Sequence, residues 1–303
     1  MGAYRFGAIE AGGTKFVCAI GSSPDDLGAV TRIPTTTPAQ TMAQVMAYFE
    51  EQIRRDGALR AIGIASFGPA GVHKSAPDWG TILETPKPGW SNTELARPLA
   101  KAFGIPVGFD TDVNGAALAE HRWGAAVGCN VATYLTIGTG IGGGTMANGR
   151  LVHGLRHPEV SHFLPRRHED DLIFEGTCPF HGDCLEGLAC GPAIAKRWGA
   201  SLSELPANHI AHDVIAYYLA QLVIVLQAVL SPRRIILGGG VSNTPGLVDK
   251  VSQAVRGLGK GYFAAPKDMD RLIAAPGLGE RSGILGAVLL AEQAWRKAQT
   301  DNN

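Results

Sequence analysis

A strand-forming stretch, Tyr4 to Glu10, runs into Ala11-Gly12-Gly13-Thr14 and returns as a second strand from Lys15 to Ile20. The device is repeated downstream. Val131 to Ile137 is β-branched, Gly138-Thr139-Gly140-Ile141-Gly142-Gly143-Gly144 is read as the turn, and Thr145-Met146-Ala147 begins the return. Two strand–glycine turn–strand units indicate an internal duplication of an α/β chain. Bare backbone at such turns can bring N–H groups close to a phosphate. A duplicated chain of this kind is expected to set its two turns facing each other across a cleft, around one polyphosphate.

The stretch Gly138-x-Gly140-x-x-Gly143 also matches the dinucleotide fingerprint, which would make the chain a nicotinamide-dependent dehydrogenase. That fingerprint requires a helix directly after the glycines. Here more glycine and then Asn148-Gly149, a hairpin signal, follow instead. No G-x-x-x-x-G-K-[ST] pattern occurs.

Between and after the turns, helical and strand patterns alternate. Pro38 to Arg55 places Met42, Val45, Met46, Phe49 and Ile53 on one helical face. Ala61 to Phe67 and Val107 to Phe109 are short strands, Gly115 to Gly124 is a helix, and Thr85 to Trp90 is a stiff proline-rich loop. Pro192 suits the first turn of a helix, where a missing N–H costs nothing, and the free N–H groups beside it form an anion site. Ile210 to Leu230 is a long apolar helix for a second core. Its most apolar part, Leu219 to Leu230, is broken by Gln221 and Gln227 and is short for a bilayer. Arg234 to Leu237 is a strand ending in Gly238-Gly239-Gly240. Gly283 to Trp295 is a closing helix, and a frayed tail is expected from Gln299.

The 303 residues carry no net charge, so nothing points to nucleic acid or a membrane surface. The five cysteines are an odd number, and Cys18 and Cys129 lie in apolar runs. That argues against a disulfide framework and for a reducing compartment. The N-terminus shows no signal peptide, and the expected location is cytoplasmic.

Chemistry-bearing residues concentrate from His157 to Glu186. Cys178, His181 and Cys184 are donors of the kind zinc takes in a closed tetrahedron. His157, His162 and His168 compete for the fourth place. Such a site would pin the loop and bring Glu159 and Glu186 face to face. Asp112 follows a strand end and precedes a helix, so its carboxylate can serve as a base. Thr111 and Asn114 beside it can bond substrate. An aspartate capping the next helix gives the same pattern. Glu10 could hold magnesium through water.

Together these motifs resemble the ROK family of sugar kinases and repressors, over essentially the whole chain. Glu10-Ala-Gly12-Gly13-Thr14-Lys15 is similar to the family's first phosphate motif, and Ile137-Gly138-Thr139-Gly140 to its second. Thr111-Asp112-Val113-Asn114 is similar to its catalytic segment, which implies Asp112 as the base. Glu159-Val-Ser-His162 resembles E-x-G-H, and Cys184-Leu-Glu186 resembles C-x-E. This implies Glu159, His162 and Glu186 as sugar contacts and selects His162 as the fourth zinc ligand. It also implies Thr139, Pro192, Gly239 and Gly240 along the ATP site. Three departures stand out: Glu10 for the usual Asp, Ser161 for the glycine of E-x-G-H, and Cys178-His181-Cys184 for three cysteines. With Ser66-Phe67-Gly68-Pro69 and Thr85 to Trp90, they resemble the fructokinase branch.

The implied fold is α/β: the duplicated, ribonuclease-H-like, two-lobed architecture of actin and hexokinase. Residues 1–114, with helix 283–298 packing back, would form one lobe. Residues 115–282, with the loop 157–186, would form the other. The implied activity is ATP-dependent phosphorylation of a hexose, D-fructose foremost, with glucose, mannose and N-acetylmannosamine as alternatives. ATP, Mg²⁺ and Zn²⁺ are the expected cofactors, and a homodimer is the expected assembly. The family's sugar-sensing transcription regulators are the rival. They carry an added N-terminal DNA-binding domain, for which a strand starting by Tyr4 leaves no room.

Overall fold

Each glycine turn joins two antiparallel strands inside a five-stranded sheet of its own. The computed structural model describes residues 4–263, 268 and 271–301. The chain divides into two compact units. Met1–Ala119, His153–His157 and Glu280–Asn303 form unit 1, and Glu120–Val152 and Pro158–Gly279 form unit 2.

In unit 1, β1 (Phe6–Ala11) pairs antiparallel with β2 (Lys15–Gly21), which pairs with β3 (Thr31–Pro34). On its other side β1 pairs parallel with β4 (Ala61–Ser66), which continues to the strand Val107–Thr111. Two short strands between them, β5 (Thr81–Ile82) and β6 (Thr93–Glu94), make a separate ribbon, so Val107–Thr111 is β7. Unit 2 repeats the plan. Its strands β8 (Val131–Ile137), β9 (Ile141–Ala147), β10 (Arg150–Leu151), β11 (Arg234–Gly238) and β12 (Ile273–Ala274) stand in the order β10-β9-β8-β11-β12. Counted within each sheet, both orders are 3-2-1-4-5, with the first pair antiparallel and the inner crossovers parallel. The duplication inferred from the turns is thus a duplication of topology.

Helix α1 (Pro38–Asp56) follows β3. Thr37 caps it by accepting the Gln40 N–H, and Pro38 takes the first turn. Its apolar stripe buries Met42, Val45 and Phe49 among Phe16, Ile62, Ile64 and Leu99. Trp90 closes the proline-rich loop over this core. It is fully buried, and its indole N–H donates to the Thr36 carbonyl at 2.9 Å.

The helices α2 (Ala96–Phe103) and α3 (Asp112–Trp123) flank β7. Helix α3 starts at Asp112, three residues before the sequence reading, and runs unbroken through the unit boundary at Ala119. Residues 115–119 therefore group with unit 1. So do 153–157, because His153 bonds Asp110 and His157 bonds Ala70.

Unit 2 adds α4 (Leu185–Ala189), α5 (Gly191–Trp198), α6 (Ala211–Leu230) and α7 (Leu247–Gly259). By length and composition α6 could cross a bilayer, but Val214, Tyr218, Leu219, Leu222 and Leu226 are buried in the unit 2 core. The return strand β9 begins at Ile141, so Gly142, Gly143 and Gly144 are strand and not turn. Their ladder comes from β8, and a Cβ at Gly143 would lie 2.5 Å from Val160.

The last helix, α8 (Ser282–Asp301), belongs to unit 1. It extends through the expected frayed region, whose last two residues, 302 and 303, lie outside the described ones. No glycine or proline interrupts its last turns, and an Arg296–Glu292 pair spans one of them. Glycines seat it on the sheet and on α3. A Cβ on Gly63 would lie 1.8 Å from the Ala287 carbonyl, one on Gly108 2.1 Å from that of Leu290, and one on Gly286 2.1 Å from that of Gly115.

Candidate active site

The loop 157–186 folds into a knot around four donors. Cys178 and Gly182 exchange backbone hydrogen bonds, which makes a tight turn that presents Cys178, His181 and Cys184 together. His162 enters from the preceding segment, and the four donor atoms all lie within 4.8 Å of one another. Zinc bonds of about 2.3 Å to sulfur and about 2.0–2.1 Å to nitrogen imply tetrahedral edges of about 3.3 Å between nitrogens and about 3.6 Å from sulfur to nitrogen. The Nδ1 atoms of His162 and His181 are 3.3 Å apart. His162 Nδ1 is 3.8 Å from Cys178 Sγ and 3.5 Å from Cys184 Sγ, and His181 Nδ1 is 3.7 Å from Cys178 Sγ. The residues fit a closed tetrahedral metal site.

The rival histidines are occupied elsewhere. His157 Nε2 accepts the Ala70 N–H at 3.0 Å, and His168 Nδ1 accepts the Asp170 N–H at 3.2 Å.

With Nδ1 turned to the cysteines, His162 turns Nε2 outward. That nitrogen is 3.9 Å from a carboxylate oxygen of Glu159 and 3.9 Å from one of Glu186. One imidazole thus joins the metal group to a pair of acids. Glu186 opens the short helix α4, and its Oε2 accepts the Ile141 N–H at 2.9 Å, at the edge of the second glycine turn.

Two further elements of unit 2 meet that turn. Gly191, at the start of α5, donates to the Gly138 carbonyl at 2.7 Å. Pro192 beside it is exposed in the first helical turn. Gly239, after β11, has φ +88°, and a Cβ there would lie 2.5 Å from the Ile137 carbonyl. Thr139 and Gly240 are exposed. Gly138–Gly140, Gly191–Pro192 and Gly239–Gly240 therefore form one patch of bare backbone at a helix N-terminus, which suits a phosphate.

In unit 1, the first turn is braced from behind. Gly12 N–H donates to Lys15 O at 3.0 Å, and Thr35 donates its hydroxyl to Gly12 O at 2.7 Å and its N–H to Thr14 O at 3.0 Å. Thr14 and Lys15 are exposed, and Gly13 has no neighbour within 4 Å of a Cβ position. Glu10 lies at the end of β1, with its carboxyl where a Cβ on Gly283 would fall. Burial, and then the charge of Asp112, push Glu10 up to about 7.

At the end of β7 the capping question is resolved. Thr111 caps α3, its hydroxyl accepting the Asn114 N–H at 3.2 Å. Asp110 is buried and spent on structure: it accepts from Thr111 N–H at 2.8 Å and Asn114 Nδ2 at 2.6 Å, and lies 2.9 Å from His153 Nε2. The bond to Asp110 raises the His153 imidazole. Asp112 accepts the Val113 N–H at 2.8 Å, and burial pushes its carboxyl up to about 6. Asn114 is fully buried, and its Oδ1 has no partner among the described residues. Sequence reasoning missed His153 altogether, because nothing local in Leu151 to Gly154 announces a partner forty residues upstream.

The ROK family profile matches residues 6–294. A fructokinase from Zymomonas mobilis subsp. mobilis is 46% identical over 295 residues, covering 96% of this chain and 98% of that protein. A fructokinase from Pediococcus pentosaceus is 41% identical, covering 96% and 99%. Among solved structures, a ROK hexokinase from Thermus thermophilus superposes with a TM-score of 0.77 at 28% identity, covering 97% of this chain and 99% of that one. Both sheets, both glycine turns and the knotted loop lie within the matched span, and the chain belongs to the ROK family.

Proposed function

We propose that this protein is an ATP-dependent hexose kinase that converts D-fructose to fructose 6-phosphate. The observation that carries the reading is its 46% identity, over nearly the full length of both chains, to the Zymomonas mobilis fructokinase. The geometry supplies the parts such a reaction needs: positioned phosphates, a base, and groups that hold the acceptor.

Asp112 is the base. Its carboxyl, raised to about 6 and bonded to the Val113 backbone N–H, is matched to proton transfer near neutral pH. Glu159, Glu186 and His162 Nε2 bond hexose hydroxyls, and Asn114 helps to orient the acceptor. Thr111 contributes by fixing the start of α3. Gly12, Gly13, Thr14 and Lys15, and Thr139, Gly140, Pro192, Gly239 and Gly240, hold the nucleotide.

A cation beside Glu10 would offset both its burial and the charge of Asp112, so Glu10 fits the magnesium that accompanies the phosphates. Zinc fits His162, Cys178, His181 and Cys184, where it would fix the loop rather than react.

A coupled ADP-release assay across fructose, glucose, mannose and N-acetylmannosamine tests the reading. Fructose should give the highest kcat/KM. A higher value for another hexose would overturn the substrate, and no ADP release with any of them would overturn the activity.

A further inference from the structure

Ile141 follows the second glycine turn directly and opens β9. Its peptide groups are held on both sides. The N–H donates to Glu186 Oε2 at 2.9 Å, and the carbonyl accepts the hydroxyl of Ser161. The carbonyl of Ser161 in turn accepts the Glu186 N–H at 3.2 Å. Residues 161, 186 and 141 thereby close a ring of hydrogen bonds. Ser161 is fully buried, so no water substitutes for its hydroxyl.

The ring is tight at the turn as well. A Cβ on Gly140 would lie 2.8 Å from Glu186 Oε2. The other oxygen of the same carboxylate faces His162 Nε2 at 3.9 Å. One side chain therefore touches the glycine turn with one oxygen and the imidazole with the other, and Ser161 fixes the peptide that the first oxygen holds.

We infer that Ser161 is a positioning residue that couples nucleotide binding at the Gly138–Gly140 turn to hexose binding at Glu186 and His162. The inference rests on the functional reading above, which places those two ligands at these elements. A phosphate that orders the turn orders Ile141, and Ile141 can only settle with Glu186 Oε2 and the Ser161 hydroxyl. Glu186 is then presented to the sugar already oriented. Such coupling is reciprocal: the sugar tightens the nucleotide by the same factor. A glycine at position 161, the residue of the E-x-G-H motif, keeps the backbone and opens the ring.

The test is calorimetric titration of the purified protein with D-fructose, with and without a non-hydrolysable ATP analogue and magnesium. Wild type should bind fructose at least about fivefold tighter with the analogue, the lower range of typical coupling. In Ser161→Gly that ratio should fall toward one, and Ser161→Ala should behave alike. Metal content and melting temperature report whether each variant remains folded. A ratio near one in wild type overturns the inference. So does a wild-type ratio retained in both folded variants, even if both affinities weaken, because a merely structural hydroxyl would do that. Wild type that binds no fructose in either condition overturns the functional reading, and the inference with it.

Discussion

Asp112 and Glu10 are two acids with separate tasks. Asp112 sits among backbone N–H donors, and burial keeps its carboxyl at about 6. As a base it must be ionised, so kcat should rise with pH through about 6 and level off above it. Asp112→Asn should lower kcat about 10²–10⁴-fold, measured by ADP release, with the fold unchanged by circular dichroism.

Glu10 makes stability depend on pH. Its folded value of about 7 lies above its ordinary 4.5. The proton it prefers in the folded state is available below about 4.5, so the associated stability is complete there and is lost as pH rises through about 7. The loss is on the order of 3 kcal/mol across that window. Glu10→Gln should flatten the pH dependence of urea unfolding between those limits. An unchanged slope would remove Glu10 as its source.

Among the elements, the knotted loop depends most on its ligands. It exposes Leu164, Leu172, Ile173 and Phe180 and has only a single turn of 3₁₀ helix, Glu169–Asp171, before α4. A closed metal site there would supply the folding energy such a loop lacks. Purified protein should contain about one zinc per chain. Cys184→Ser should release it and weaken fructose binding through His162 and Glu186, as read by metal analysis and titration.

The spacing of Cys178, His181 and Cys184 was legible because a metal's donors on one turn are close in sequence. Which histidine joins them was not legible from spacing, since His157, His162 and His168 all precede Cys178 in the same loop. The family resemblance selected His162, and the structure finds His157 on Ala70 and His168 on Asp170. The two sheets were legible from their glycine turns. The extent of the second turn was misread, because Gly142 to Gly144 look like loop until they are found paired with β8 and Gly143 is found to leave room for Val160. The pairing of Asp110 with His153 joins two segments that share no local pattern.

At the scale of the whole molecule, ligands that bind only the folded chain should stabilise it. Fructose at about a hundred times its Kd adds about 2.7 kcal/mol. Thermal unfolding should therefore shift upward with fructose, and less with a sugar the enzyme does not use. Equal shifts for all hexoses would count against selectivity at the binding step.

The seat of α8 has a consequence for how the protein is made. Unit 1 holds the first residues of the chain and also Glu280–Asn303. Ile284, Leu285, Ala287, Val288 and Ala291 of α8 are buried, and Gly63 and Gly108 are cut to receive its backbone. Domains that emerge early on the ribosome usually fold early. Here the half that is translated first waits for the twenty or so codons of α8, roughly a second or more of synthesis at about 5–20 residues per second. The later-made half is complete before them. A nascent chain stalled short of Ser282 would present an uncovered β1-β4-β7 face to chaperones.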